Sequence, residues 1–275
     1  MYKFAVFGNP VQHSLSPTIH NLFARQCDLS VQYDAIECTL SAFAITVRDF
    51  FLCGGHGANV TLPFKEHAFA LANTVSSAAR LAGAANTLCR SDDRTLFAEN
   101  TDGLGLIRDL TTTQGLNLTH CRILLLGAGG AARGVLGPLM QATTHPVTLV
   151  NRTLAKAEDV AAHFSRVGKV ITRSYAELAD DHYDVIINAT SASLSSTLPA
   201  LPDTLSCRNA LVYDMMYSKK PTIFMQWAKN QGASVVCDGL GMLLEQAAES
   251  FYLWTQHRPE VLAVRRQLLH PSRPL

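Results

Sequence analysis

The stretch Leu124-Leu125-Leu126-Gly127-Ala128-Gly129-Gly130-Ala131-Ala132-Arg133 constrains the fold more than any other in the chain. An aliphatic strand runs into a glycine turn and then into an alanine-rich helix. A dinucleotide site needs glycine for the tight turn, a second glycine where backbone meets pyrophosphate, and a small residue where helix packs on strand. Gly127, Gly129 and Ala132 fill those places. The helix that follows presents free backbone N–H groups and a positive dipole end to phosphates. Its strand and helix context is what turns a glycine triplet into a motif. Around it, strand-like runs (Lys3–Phe7, Val31–Cys38, Gly57–Val60, Arg122–Leu126, Pro146–Val150, Asp184–Asn188, Leu211–Asp214, Ser234–Val236) alternate with helical ones (Pro17–Cys27, Ala42–Leu52, Pro63–Ala72, Asp102–Leu110, Gly129–Met140, Thr153–Phe164, Thr222–Asn230). Such alternation predicts parallel sheets covered on both faces. Asn86–Cys89 and Thr95–Ala98 read as a hairpin across Ser91–Arg94, and the tail, Leu240–Trp254 and Glu260–Leu269, reads as helical.

The strand after the glycine turn ends in Asn151-Arg152-Thr153. An acidic residue here would bond an NAD ribose, whereas arginine suits the 2′-phosphate of NADP. Lys156, one helical turn on, adds a second cation. A solvated helix start would use the same residues, but the pattern favours NADP.

Of the 275 residues 48% are hydrophobic and only 16% charged, against a typical charged fraction of about 25%. That excludes a disordered chain. The net charge of +1 gives no field for nucleic acid or anionic lipid, so a small-molecule partner is expected. No apolar run reaches the ~18 residues of a membrane-spanning helix. The seven cysteines are scattered and never spaced Cys-x-x-Cys. Buried thiols in a reducing cytoplasm are therefore expected, rather than a disulfide framework. His13 and His20 find no third ligand at metal-binding spacing.

Three polar motifs lie at ends of predicted elements in the N-terminal part. In Gly8–Pro17, Ser14 and Ser16 sit between strand and helix, where open α/β sheets bind ligands; Ser16 also reads as the helix N-cap before Pro17. In Asn59-Val60-Thr61-Leu62-Pro63-Phe64-Lys65, Asn59 and Thr61 share a strand face, and a helix beginning at Pro63 points Lys65 toward them. A lysine in a desolvated cleft is suited to proton transfer. A surface lysine on a first helical turn fits the local sequence equally well. In Glu99–Gly105, Asp102 is either a simple N-cap or a carboxylate that holds Lys65 and a substrate hydroxyl.

Taken in order, these motifs resemble the shikimate/quinate dehydrogenase family over nearly the whole chain. The resemblance rests on Gly8–Asn21, Asn59–Lys65, Gly83–Thr87 and Asn100–Gly103. It continues through Gly127–Arg133, Asn151–Thr153, Asn188–Ser191, Asp214–Tyr217 and Asp238–Leu243. It implies an α/β fold of two domains with a cleft between them. A discontinuous substrate domain would span 1–101 plus 240–275, and a Rossmann-type NADP-binding domain 102–239. It implies Lys65 and Asp102 as the catalytic pair. Ser14, Ser16, Asn59, Thr61, Asn86, Tyr217 and Gln246 would bind the hydroxyls and carboxylate of shikimate. Gly127, Ala128, Gly129, Gly130, Ala131, Asn151, Arg152, Thr153, Lys156, Thr190, Met215 and Gly239 would line the NADP site. The chain departs from the family at Ser193, where glycine is usual.

The implied activity is reversible, NADPH-dependent reduction of 3-dehydroshikimate to shikimate in chorismate and aromatic amino-acid biosynthesis. A cytoplasmic monomer or homodimer without metal is expected. Two rivals stand: a quinate/shikimate dehydrogenase of relaxed specificity using NAD, which Arg152 argues against, and a non-catalytic NADP-binding sensor, which would not need the Lys65–Asp102 pair.

Overall fold

The computed structural model describes residues 1–91, 95–178, 181–195, 197–218 and 220–270. Contacts divide the chain into two compact units: Met1–Gly105 together with the segment from Leu243 onward, and Leu106–Met242. These divisions fall a few residues beyond the expected boundaries at 101 and 239, so Asp102 belongs to the first unit.

The first unit carries β1 (Tyr2–Gly8), α1 (Ser16–Gln26), β2 (Val31–Glu37), α2 (Phe43–Leu52), β3 (Gly57–Val60), α3 (Lys65–Leu71), β4 (Thr74–Val75), α4 (Ser77–Ala82), β5 (Thr87–Arg90) and β6 (Leu96–Glu99). Among the described residues these strands form one sheet in the order β2-β1-β3-β5-β6-β4. The β1–β2 and β1–β3 pairs are parallel, while β5 runs antiparallel to both β3 and β6. Strand alternation sends β1 side chains to two faces. Phe4 and Val6 pack with Val11 and Tyr33, while Ala5 and Phe7 pack with Phe43, Val47, Val60 and Phe64. With both faces covered, β1 needs apolar residues at every position from Phe4 to Phe7, all of them buried.

The second unit begins within α5 (Asp102–Arg108), which runs on as a π-helical turn over Asp109–Thr113. It continues with β7 (Ile123–Leu126), α6 (Gly130–Ala142), β8 (Val147–Val150), α7 (Leu154–Phe164), β9 (Val170–Arg173), β10 (Val185–Asn188), β11 (Leu211–Asp214), α8 (Ile223–Asn230) and β12 (Val235–Cys237). The strand order is β12-β11-β10-β7-β8-β9, every pair parallel. The chain winds outward from β7 to β9, then returns to lay β10 beside β7. That reversal sets Leu126 against Asn188 at the carboxyl ends of the strands, the switch point where doubly wound sheets bind ligands. The chain re-enters the first unit within α9 (Leu240–Thr255) and ends its described part with α10 (Val261–Leu269).

Several local expectations are corrected. Pro63 does not start α3, which opens at Lys65 after Phe64. Ser16 is the first residue of α1 rather than its cap; Leu15 holds the cap position without a side-chain bond. The short β4–α4 pair and β9 were not anticipated. In α4 the Oγ of Ser76 accepts the Ala79 amide, so the start signal was a serine lost in the run Ser76-Ser77. The β5–β6 hairpin forms as expected, but the turn residues Asp92–Arg94 lie outside the described ones.

Candidate active site

Lys65 is the first residue of α3, which follows β3 after the short connection 61–64. Its Nζ lies 2.5 Å from Oδ2 of Asp102, the first residue of α5. The side chains are 18% and 6% exposed, so the lysine is not the surface residue its local sequence also allowed. The Asp102 carboxylate is spent on this pair rather than on capping. Its other oxygen accepts Nδ2 of Asn86 at 2.8 Å, and its amide donates to Oδ1 of Asn100.

Asn86 is held on every side. Its Oδ1 accepts the Thr101 amide (2.9 Å) and the Thr87 hydroxyl (3.0 Å). Its Nδ2 donates also to Oγ1 of Thr101 and, at 3.1 Å, to Oε1 of Gln246 on α9. Asn59, at the end of β3, donates through Nδ2 to the Asn86 carbonyl, to Thr87 Oγ1 and to Ser250 Oγ. Its Oδ1 accepts the Tyr33 hydroxyl at 2.7 Å. Asn59, Asn86, Asp102 and Gln246 are all buried, as buried amides and carboxylates can be only when bonded.

Six expected residues, Lys65, Asp102, Asn86, Asn59, Gln246 and Ser16, thus share one buried polar cluster, Ser16 joining it beside the Tyr33 hydroxyl. Ser14 supports its edge by accepting the Ser16 amide through Oγ at 3.2 Å. That local bond is a structural use which sequence reasoning did not give it. Thr61 directly follows β3, its amide bonded to the Phe7 carbonyl. Tyr217 belongs to the second unit, where it lines a pocket of about 420 Å³ with Ser193, Met216, Ser218, Thr222 and Gln226. Thr101, Thr87, Ser250 and Tyr33 were missed. Of these, Thr101 and Thr87 carried a signal, their places in Asn-Thr-Asp-Gly and Gly-Ala-Ala-Asn-Thr.

His20 lies wholly buried with both ring nitrogens unpartnered. It stacks on Tyr33 with centroids 4.5 Å apart and 17° between planes. Burial lowers its pKa to about 3, so the imidazole is neutral, an aromatic slab. Among the described residues no His, Cys, Asp or Glu cluster could hold a metal ion.

In the second unit, Gly127 closes β7 with φ +105° and its amide on the Val150 carbonyl. A Cβ there would be strained by that φ and would sit 3.1 Å from Thr190 Cγ2. Gly129 takes the cap position of α6 with no side chain capping the helix, and space beside it is open. Ala128, Gly130 and Ala131 complete this turn, whose uncapped amides suit an anion. Beyond β8, Asn151 Nδ2 bonds the Thr153 carbonyl, and Thr153 caps α7 without a side-chain bond. Arg152 and Lys156 are exposed. Across the switch point, Asn188 Oδ1 accepts the amide and hydroxyl of Thr190, and the Met215 amide donates to the Asn188 carbonyl. Gly239 approaches Met215 so closely that a Cβ would strike its carbonyl oxygen. This close approach supplies a packing reason for that glycine.

Ser193 has a defined role. Its Oγ donates to Asp214 Oδ2 at 2.7 Å and accepts Asn188 Nδ2 at 3.3 Å. Thr222 Oγ1 and the Met216 amide also bond Asp214. A fully buried carboxylate is thereby satisfied by neutral donors.

The residues 6–88 match the model described as shikimate dehydrogenase substrate binding domain. Residues 109–198 match shikimate/quinate 5-dehydrogenase, and 239–269 the shikimate 5′-dehydrogenase C-terminal domain. The chain is 51% identical over 270 residues to the shikimate dehydrogenase (NADP(+)) of Hahella chejuensis, covering 97% of this chain and 99% of that one. A solved Ael1 enzyme from Pseudomonas putida is 42% identical, covers 98% of each chain and superposes with a TM-score of 0.92. The Thermus thermophilus shikimate 5-dehydrogenase solved with NADP(H) and shikimate is 33% identical over 97% of this chain and 99% of that one, TM-score 0.85. Matched along nearly its whole length in both sequence and fold, the chain belongs to the shikimate dehydrogenase family.

Proposed function

We propose that the chain catalyses the reversible, NADPH-dependent reduction of 3-dehydroshikimate to shikimate. The observation that carries this reading is the Lys65–Asp102 pair, 2.5 Å apart and braced by Asn86. A nucleotide sensor has no use for a buried proton-transfer pair. The Hahella chejuensis relative is named for NADP(+) and the Thermus thermophilus one was solved with NADP(H). Here Arg152 and Lys156 flank the end of β8, where a 2′-phosphate would be read.

The residues present fit the cofactor: the glycine turn leaves open space beside uncapped helix amides, and two cations stand past β8. Gly127–Ala131 would hold the pyrophosphate, Asn151–Thr153 and Lys156 the adenosine end, and Thr190, Met215 and Gly239 the nicotinamide end. Bound NADPH supplies the hydride. Lys65 does the acid–base work: its ammonium gives a proton to the ketone oxygen in reduction, and its amine takes one from the hydroxyl in oxidation. Asp102 holds that nitrogen in place and accepts a substrate hydroxyl. Ser14, Ser16, Asn59, Thr61, Asn86, Tyr217 and Gln246 bind the ring's carboxylate and remaining hydroxyls. All seven cysteines are free thiols, which suits a reducing cytoplasm.

The test is shikimate-dependent NADP reduction by the purified chain, with quinate and NAD in parallel. A kcat/KM for shikimate and NADP exceeding the other pairings by about tenfold or more, one RT ln 10 of preference, is expected. Ligand binding without turnover would overturn the reading.

A further inference from the structure

Asn59 reaches its partners from both ends of one amide, and two of those partners belong to no expected site. At its oxygen stands Tyr33 of β2, 2.7 Å away; at its nitrogen stands Ser250 of α9, 3.0 Å away. An amide whose oxygen meets a hydroxyl donor and whose nitrogen meets acceptors cannot flip without placing like groups together. We propose that Tyr33 and Ser250 form a clamp that fixes the amide of Asn59 and, with it, the shikimate pocket.

Both ends of the clamp are built to stay still. The Tyr33 ring lies flat on neutral His20, which is tilted 32° against Trp254 at 5.3 Å. The phenol oxygen bonds Asn59 and also faces Ser16. One hydroxyl therefore touches two residues assigned to substrate. Ser250 is fully buried in a helix flanked by Ala247, Ala248 and Phe251, a place where alanine would suit the helix better. Its hydroxyl is engaged four ways, with the Gln246 carbonyl, Asn59 Nδ2, Thr87 Oγ1 and Thr101 Oγ1. Through Thr87, which donates to Asn86 Oδ1, the same hydroxyl touches the amide that braces Asp102. Tyr33 and Ser250 are positioning residues, acting through Asn59 and Asn86.

The proposal rests on the reaction proposed above. Its test is Tyr33→Phe and Ser250→Ala, each deleting one hydroxyl with little change of shape. Each should raise KM for shikimate about three- to tenfold, the scale of one hydrogen bond. Each should leave kcat and the NADP KM within about twofold, because ground-state and transition-state binding weaken together. A merely structural role would lower Tm and leave that split unseen. A shikimate KM indistinguishable from wild type in either folded variant overturns the clamp. Should Tyr33→Phe not fold, Ser250→Ala decides alone. Wild-type turnover is measured first: its absence overturns the reaction and the clamp together, whereas turnover with unchanged KM values overturns the clamp only.

Discussion

Replacing Lys65 by alanine separates chemistry from architecture. Lys65 is the only side chain paired with Oδ2 of Asp102 among the described contacts, and that carboxylate is 6% exposed. Loss of a positioned acid–base group costs about 10²–10⁴ in kcat. Stability should change as well, since a buried carboxylate is left with Asn86 as its side-chain donor. Breaking a fully buried pair costs about 3–5 kcal/mol. The lysine here is 18% exposed, so water screens part of the loss and we expect about 1–2 kcal/mol. For a chain of this size that is a Tm drop of roughly 2–8 °C. Asp102→Ala should lower kcat and raise KM together, and the double variant should lose far less than the product of the singles. The assay is steady-state reduction of NADP with shikimate, with melts for all three proteins. A folded Lys65→Ala with kcat within about threefold of wild type, well short of a lost general acid, would refute the mechanism.

Arg152→Asp should raise the NADP KM about ten- to a hundredfold, the worth of a charge-assisted phosphate contact; an equal rise for NAD would show the arginine to be structural. Gly127→Ala, at φ +105° and 3.1 Å from Thr190, should cost about 1–3 kcal/mol in backbone strain and weaken NADP binding, read by melts with and without cofactor. Ser193→Gly removes one donor from buried Asp214 and should cost about 1–2 kcal/mol in urea unfolding; an unchanged midpoint would deny that bond any weight. His20 titrates near 3 when folded and near 6.5 when unfolded, so below 6.5 the unfolded chain binds the extra proton. Its contribution is whole above pH 6.5 and falls by about 1.4 kcal/mol per unit toward 3. His20→Phe should flatten the stability profile between pH 6.5 and 4.5, and parallel profiles would refute the neutral imidazole.

The Lys65–Asp102 pairing was legible because each half sits in a short motif at an element start. The glycine turn was legible because its strand and helix are contiguous with it. Tyr33 and Ser250 were not, for the clamp joins residues 26 and 191 positions from Asn59. In sequence, Tyr33 is one aromatic of a strand and Ser250 one small residue of an amphipathic helix. The capping errors share a cause: Ser16 and Asp102 are good caps by composition, yet each side chain faces the polar cluster, and Ser14 and Asn100 take the local backbone bonds instead. Strands β4 and β9 escaped notice because they are short and lack a fully buried face.

The return of α9 and α10 to the first unit sets an order on synthesis. Trp254 stacks on Phe4 with ring centroids 4.6 Å apart and donates to the Leu88 carbonyl, and Gln26 exchanges hydrogen bonds with the backbone of Glu260. Gln246 and Ser250 complete the cluster around Asn86. A nascent chain that has emerged as far as Gly105 holds Lys65 and Asp102 but not Gln246 and Ser250, which complete the cluster from α9. The Leu106–Met242 unit emerges whole and can close its own parallel sheet while Phe4, His20 and Tyr33 still lack their ring contacts with Trp254. On the ribosome the Leu106–Met242 unit can therefore finish first, while the other unit completes its core only after α9 and α10 have left the exit tunnel.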